Sequence, residues 1–481
     1  MSQSDNASDN ASDNVSDNAS ENAPDNTSNN VRHFGRIAAV YLLGLLVGGL
    51  YVGIVAPLRT VIQSDMAIDS SLGIWIINIY TLFYAATIPV AGNLADRYGR
   101  KSVYCGCLAI FSLGALLCGV SQTLGGFPLL LLGRVIQAAG AGGVIPVATS
   151  AMGVLAPEGK RGMWLGISSA VAGLANVLGA AVGSVISSIV GVHGWCWAFF
   201  VVVPIGVLLV LLALLWLPRS EVKPQGRLDV PGSILFVAFV LCLLVGLKGI
   251  EFADPIGSAL KATTFGPVLA AVVLVLVFRV VEHRAQDPVF HLKYLHNRRI
   301  RIIMAVSFFV GCCIITMSLV PEFAEAVLGA EVGSGGYYMA IIGIFAIVGP
   351  PVGGKLIDKH GAKPVLLSGL LVTAAGFGFL AFFVTANPSI PAMLVGLSVV
   401  GLGMGFTMGT PLNYMILQNT TDEESSSAIA TISLVRQMGT TLAPALLVGF
   451  TTAGLGIAGY CYMMATVMVT NLVSMALLAR Y

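Results

Sequence analysis

The residues able to do chemistry in this chain are few, and long apolar stretches separate them. The densest group is Gly92-Asn93-Leu94-Ala95-Asp96-Arg97-Tyr98-Gly99-Arg100-Lys101. Asp96 stands at the end of an apolar segment among Arg97, Arg100 and Lys101. A carboxylate in that setting can hold two helices together by charge pairing and release them when they move. Gly92 and Gly99 let the backbone turn tightly beside it. A degenerate copy runs from Gly354 to Lys363, with Asp358 in the place of Asp96. Both runs are read as gating elements, carried by Asp96, Arg97, Gly99, Arg100 and Asp358. The plainer alternative is a pair of interfacial anchors.

Two further charges lie inside apolar segments, Arg134 (with Gln137 one helical turn on) and Arg436. A charge within a bilayer is costly and marks function by default. The structural alternative for Arg134 is an arginine satisfied by backbone carbonyls and Gln137. No carboxylate falls mid-segment. The nearest are Glu322 and Glu325 in Pro321-Glu322-Phe323-Ala324-Glu325, three apart and roughly on one helix face. Burial can raise a carboxyl pKa, so these two are the candidates to carry a coupling proton; the alternative is two solvated rim acids. An interior with fixed cations and no carboxylate disfavours multiply charged cations and favours neutral or anionic amphiphiles. Tyr80, Tyr84, Met404 and Tyr414 are candidates to line such a cavity, because flat rings and flexible thioethers suit varied apolar ligands. Each of them also reads as a packing or lipid-facing residue.

Enzyme chemistry has no foothold. No nucleophile–base set, phosphate-binding loop, C-x-x-C motif or metal-spaced His/Cys cluster is present, so neither cofactor nor metal is expected. The eight cysteines all fall within apolar runs, as packing thiols do.

Membrane helices must position these residues. Of 481 residues, 56% are hydrophobic and only 10% charged, against about a quarter charged in ordinary globular chains; mean hydropathy is +0.88. That excludes a soluble enzyme, a nucleic-acid binder and a disordered scaffold, and leaves a polytopic all-α membrane protein with the bilayer as its surroundings. The 56 glycines follow no collagen period and fit closely packed membrane helices. Apolar runs of about 18 residues or more mark fourteen spans, at 37–58, 72–94, 102–121, 127–152, 163–189, 195–217, 231–252, 264–281, 301–326, 335–353, 365–385, 391–416, 427–451 and 457–479. Residues 1–35 form a low-complexity tail built on Ser-Asp-Asn-Ala and are expected to be disordered. With the N-terminus inside, twenty of the twenty-five Lys and Arg fall in cytoplasmic segments. The positive-inside rule then puts both termini in the cytoplasm of a plasma (inner) membrane protein. Trp195 and Trp197 read as belt residues at the opposite interface.

The two Asp-containing runs lie 262 residues apart (358 − 96), and spans 1 and 9 start 264 apart (301 − 37). The shared offset divides the chain into the tail, a first half at 36–217, a linker with two inserted helices at 218–300, and a second half at 301–481. Parallel repeats of this kind place a substrate site at the midplane between halves.

These residues resemble a known family. Gly-x-Leu-Ala-Asp-Arg-x-Gly-Arg-Lys between spans 2 and 3 is similar to the loop signature of the major facilitator superfamily. Leu132-Gly133-Arg134-x2-Gln137 is similar to its arginine motif. Gly179-Ala180-x2-Gly183-Ser184 resembles the antiporter motif, with alanine where proline is usual; by spacing alone, Gly179 and Gly183 permit close helix approach. Gly194-Trp195-Cys196-Trp197-x-Phe199, Asp287-Pro288 leading to Leu295-x-Asn297-Arg298, and Arg436-Gln437-Met438-Gly439 resemble the fourteen-helix drug:proton antiporter-2 branch. Many members of that branch carry an acid in span 1, and Gly48 to Gly53 has none. The resemblance implies a major facilitator fold of fourteen helices and a monomeric secondary transporter. It also implies proton-coupled efflux of amphiphilic small molecules by alternating access. A carrier for one anionic metabolite or lipid is the second reading. A non-transporting membrane sensor is the third.

Overall fold

The computed structural model describes residues 25–68, 70–73, 75–190, 192–218, 230–248, 255–282, 293–316, 319–329, 335–408, 410–452 and 455–481. Helix is the rule in every expected span, since apolar backbone in a bilayer must satisfy its own N–H and C=O groups. The long helices are α1 (Asp25–Asp65), α2 (Trp75–Tyr98), α3 (Arg100–Val120), α4 (Gly126–Leu155), α5 (Arg161–Val190), α6 (Val202–Trp216), α7 (Val230–Lys248), α8 (Ala262–Glu282), α9 (Arg298–Thr316), α10 (Gly335–His360), α11 (Ala362–Gly378), α12 (Ile390–Thr407), α13 (Ser425–Thr452) and α14 (Ile457–Ala479). Among the described residues, ten helical stretches are long and apolar enough to cross a membrane.

The halves repeat one packing plan. In the first, α3 lies along α4, α1 along α5 and α2 against α4. In the second, α11 lies along α12, α9 along α13 and α10 against α12. The halves meet through α2 on α13 and α5 on α10. Both short connections after the Asp-bearing helices turn through a glycine with positive φ, Gly99 at 86° and Gly361 at 85°, a conformation that a Cβ disfavours. The inserted helices α7 and α8 pack on each other. Helix α7 covers the α2–α13 seam, setting Phe236, Val240 and Leu244 against Leu82, Ala85, Ala86 and Leu434. Helix α8 presents Leu269, Val273, Leu276 and Val280 outward, as a lipid-facing helix does.

Several expected boundaries are corrected. Helix α1 begins at Asp25, inside the segment expected to be disordered. Residues 1–24 lie outside the described residues, as do 219–229, 249–254 and 283–292 of the linker. Span 9 is described in two parts, on either side of residues 317–318. Helix α9 is described to Thr316, and the helix Val320–Leu328 starts with proline in its first turn, where the missing N–H costs nothing. Span 12 is interrupted. Helix α12 ends at Met408, which is extended (ψ 91°), and Thr410–Gln418 begins with Pro411 at its second position. Span 6 consists of Cys196–Phe200 and α6. Helix α11 continues as a π-helical turn, Phe379–Val384. Trp197 is 58% exposed, as a belt residue should be, but Trp195 is fully buried. Its indole Nε1 donates to Asp65 Oδ2 at 2.7 Å, and Gln122 Nε2 donates to the same oxygen at 2.9 Å. An indole removed from lipid headgroups needs such an acceptor, so Trp195 ties the end of α1 to the start of the sixth span.

Candidate functional site

The first N–H groups of any helix lack intrahelical acceptors and carry the positive end of its dipole. Asp96, near the end of α2, meets that need in α13. Its Oδ1 accepts from Ser426 N at 3.0 Å and its Oδ2 from Ser427 N at 2.7 Å. Asp358, near the end of α10, does the same for α5. Its Oδ1 accepts from Gly162 N at 2.6 Å and its Oδ2 from Met163 N at 2.8 Å. Each carboxylate thus caps the helix of the opposite half with both oxygens, and the two caps are related by the internal repeat.

Backbones come close at both caps. A Cβ on Gly92 would lie 2.8 Å from Ser426 O, and one on Gly162 would lie 2.5 Å from Gly354 O. Around the first cap, Arg100 Nη2 donates to Asp422 O at 2.6 Å and to Ser425 Oγ at 2.8 Å. Ser150 Oγ lies 2.9 Å from both Ser425 Oγ and Ser426 Oγ, and Arg161 approaches Asp422 at 3.8 Å. The expected charge pairing is therefore replaced by carboxylate-to-backbone capping. Arg100 holds the turn before α13, Arg97 lies over the Tyr98 ring at 5.5 Å, and Lys101 Nζ donates to Leu214 O and Leu217 O at the end of the sixth span. The charge argument located Asp96 but missed Ser426, Ser427, Gly162 and Met163. Ser425-Ser426-Ser427 after Asp422-Glu423-Glu424 is a helix-start signal, and it was the one sequence clue to the first cap.

A second group is deeper. Arg134 on α4 is 2% exposed. Its Nε donates to Ile76 O at 3.1 Å, its Nη1 to Gln137 Oε1 at 2.6 Å, and its guanidinium lies over the Tyr80 ring at 4.0 Å. Tyr80 and Tyr84 stack nearly parallel, 7° apart in plane with centroids at 6.1 Å, because one helical turn puts them on the same face of α2. Arg436 on α13 stands between Leu434 and Met438, which pack with Leu82, Ala85 and Ala86, the α2 residues flanking Tyr84. Its Nη2 reaches Ser433 Oγ at 3.4 Å. A row Arg134–Tyr80–Tyr84–Arg436 thus runs from the first half to the second. Among the described residues neither guanidinium has a carboxylate partner.

Two halves with the same helix packing, joined by a matching pair of caps, suit a membrane carrier. Residues 41–444 and 314–481 match the Major Facilitator Superfamily. The chain belongs to the major facilitator superfamily. It is 32% identical over 421 residues to the uncharacterized MFS-type transporter YfiU of Bacillus subtilis (strain 168), covering 86% of this chain and 79% of that protein. It is 27% identical to Multidrug resistance protein 3 of the same organism, covering 83% and 76%. To a Multidrug resistance protein B homolog of Mycobacterium tuberculosis (strain ATCC 25618 / H37Rv) it is 27% identical, covering 86% and 75%. The fold matches the proton:xylose symporter XylE with TM-score 0.67 at 14% identity, over 94% of this chain and 96% of that one. It matches the human organic anion transporter MFSD10 with TM-score 0.66 at 15% identity, over 92% and 99%. The protein is a multi-pass, non-enzymatic membrane transporter.

The other candidates of this facilitator are spread apart. Glu325 is half-buried on Val320–Leu328, and the Glu322 side chain lies outside the described residues. Met404 is packed in the core of the second half at 1% exposure. Tyr414 is on Thr410–Gln418 beside another cluster. Neither belongs to the packing clusters around Tyr80 and Tyr84. At Gly179 a Cβ would collide with Leu50 O of α1, so this glycine sets the α1–α5 approach; Gly183 is helical, and its surroundings lie outside the described residues.

Proposed function

We propose that this facilitator is a fourteen-helix exporter of amphiphilic small molecules, akin to the drug:proton antiporter-2 branch. It sits in the plasma membrane with both termini in the cytoplasm, works as a monomer, and is driven by protons. The observation that carries the reading is the mirrored pair of caps. Asp96 and Asp358 each grip the opposite half by a helix start, so both let go when the basic face opens. A carboxylate at a partly buried helix N-terminus contributes up to about 2 kcal/mol, enough to bias two states without freezing one. The kinship with two multidrug resistance proteins at 27% identity supports amphiphilic cargo. Helix α7 over the α2–α13 seam supports the inserted pair as part of the transport unit. Glu325, with Glu322, is the proposed proton site.

Purified protein in proteoliposomes, given an imposed pH gradient and a panel of lipophilic dyes and drugs, tests this. Uphill movement of at least one compound that collapses with a protonophore is expected. Transport indifferent to the pH gradient would remove the proton coupling, and transport of none would remove the export reading. The second reading, a carrier for anions, is favoured by Arg134 and Arg436, which have no carboxylate partner among the described residues.

A further inference from the structure

We propose that the row Arg134–Tyr80–Tyr84–Arg436 is the substrate seat, and that its occupant is an organic monoanion with a flat aromatic body, an aromatic carboxylate. The proposal rests on the alternating-access reading above and names the charge and shape of the cargo. Three observations carry it. The first is charge. Two guanidiniums flank one tyrosine pair from opposite halves, and among the described residues neither has a carboxylate partner. Buried cations cost several kcal/mol each unless an anion answers them.

The second is hydrogen-bond demand. Gln137 Nε2, Tyr80 Oη and Arg436 Nη1 are buried without a partner among the described residues. Gln137 Oε1 is already taken by Arg134, and the guanidinium and amide nitrogens can only donate. The unpartnered nitrogens call for acceptors, which a carboxylate supplies with two oxygens. The third is shape. The Tyr80 and Tyr84 rings are parallel, 7° apart in plane with centroids at 6.1 Å, and Arg134 covers Tyr80, so Tyr84 is the ring left to stack on a flat aromatic ligand. Arg134 and the tyrosines belong to the first half and Arg436 to the second, so an anion touching both arginines binds across the hinge and couples its own presence to the rocking.

The test uses 2-naphthoate, its neutral methyl ester and the cation 2-naphthylmethylammonium on the full-length protein. Binding is read from the thermal shift of the detergent-solubilised protein, and transport from counterflow in proteoliposomes. Naphthoate should stabilise the protein saturably, with the ester and the ammonium ion about tenfold or more weaker. Arg436→Gln should weaken naphthoate by about tenfold to a hundredfold, the worth of one charged hydrogen bond, while its unliganded unfolding temperature stays near wild type. Arg436→Lys should recover part of the loss. Tyr84→Leu should weaken naphthoate and spare acetate-sized anions. Ammonium binding as tight as naphthoate, naphthoate binding unchanged in a folded Arg436→Gln protein, or binding of none of the three overturns the assignment. Counterflow of the ammonium ion would overturn it while leaving the transport reading intact. Arg436-dependent naphthoate binding without counterflow of any probe would uphold the seat and remove the transport reading.

Discussion

At the residue scale, function rests on where single charges find partners. Asp96 faces N–H groups with both oxygens, and an amide can offer acceptance at one atom only. Asp96→Asn should therefore keep the fold and insertion, lose most transport, and weaken the basic-face closure by about five- to thirtyfold, the equivalent of 1–2 kcal/mol. Ser427, 4% exposed behind the cap, gives the readout: as a near-isosteric cysteine in a background without the native thiols, it should react with a water-soluble maleimide correspondingly faster. Unchanged labelling with wild-type turnover would sink the capping role. Arg134 uses two different nitrogens and a ring face, none of which a lysine reproduces together. Arg134→Ala and Arg134→Lys should both lose transport by more than about tenfold; full recovery in the lysine form would show that charge alone is needed. The buried arginine was legible from the sequence, because a guanidinium inside an apolar run stands out. Its partner Ile76 was not, because a carbonyl leaves no trace in the side-chain code.

At the element scale, glycines and prolines divide the work. Gly439 on α13 faces Phe308 O on α9, and a Cβ there would collide with it. Gly439→Ala should lower stability by about 1–3 kcal/mol through overpacking, seen as a lower unfolding temperature in detergent. Gly106→Ala is the control. Nothing lies within 4 Å of its added Cβ, so it should be neutral or slightly stabilising, by up to about 1 kcal/mol. Equal effects of the two would mean that the α9–α13 approach is looser than drawn. The prolines were visible in the sequence, but their effect was not. Pro89 and Pro146 are absorbed within α2 and α4, whereas Pro321 and Pro411 begin new helices. The residue before a proline resists the helical conformation, and neighbours decide whether the chain bends or restarts.

For the whole molecule, the proposed gating makes the two caps parallel locks. Asp96→Asn and Asp358→Asn should multiply in the labelling assay, as independent sites do, with the double variant opening further than either single one. Coupling is also a property of the whole carrier. Glu325→Gln should bind cargo yet stop answering an imposed pH gradient, because the neutral side chain keeps the shape and loses the titration. If pH-driven transport in proteoliposomes stays normal, and Glu322→Gln behaves likewise, the proton travels elsewhere, and a weakly acidic cargo carrying its own proton becomes the natural route. Helix α7 covers the α2–α13 seam with Phe236, Val240 and Leu244, an apolar screen over the interface that carries the Asp96 cap.

Taken alone, the amino-acid sequence determined the membrane setting, the all-helical class, the internal repeat and the chemically loaded positions, Asp96, Asp358, Arg134 and Arg436 among them. Hydropathy and charge cost act residue by residue, so composition and spacing record them directly. The tertiary structure decided what each charge touches. Ser426 lies 330 residues from Asp96, and Gly162 lies 196 from Asp358. The acceptor's partners are backbone N–H groups that every residue but proline owns. Which of them are free depends on where helices start and which half packs against which, and only the folded chain fixes that.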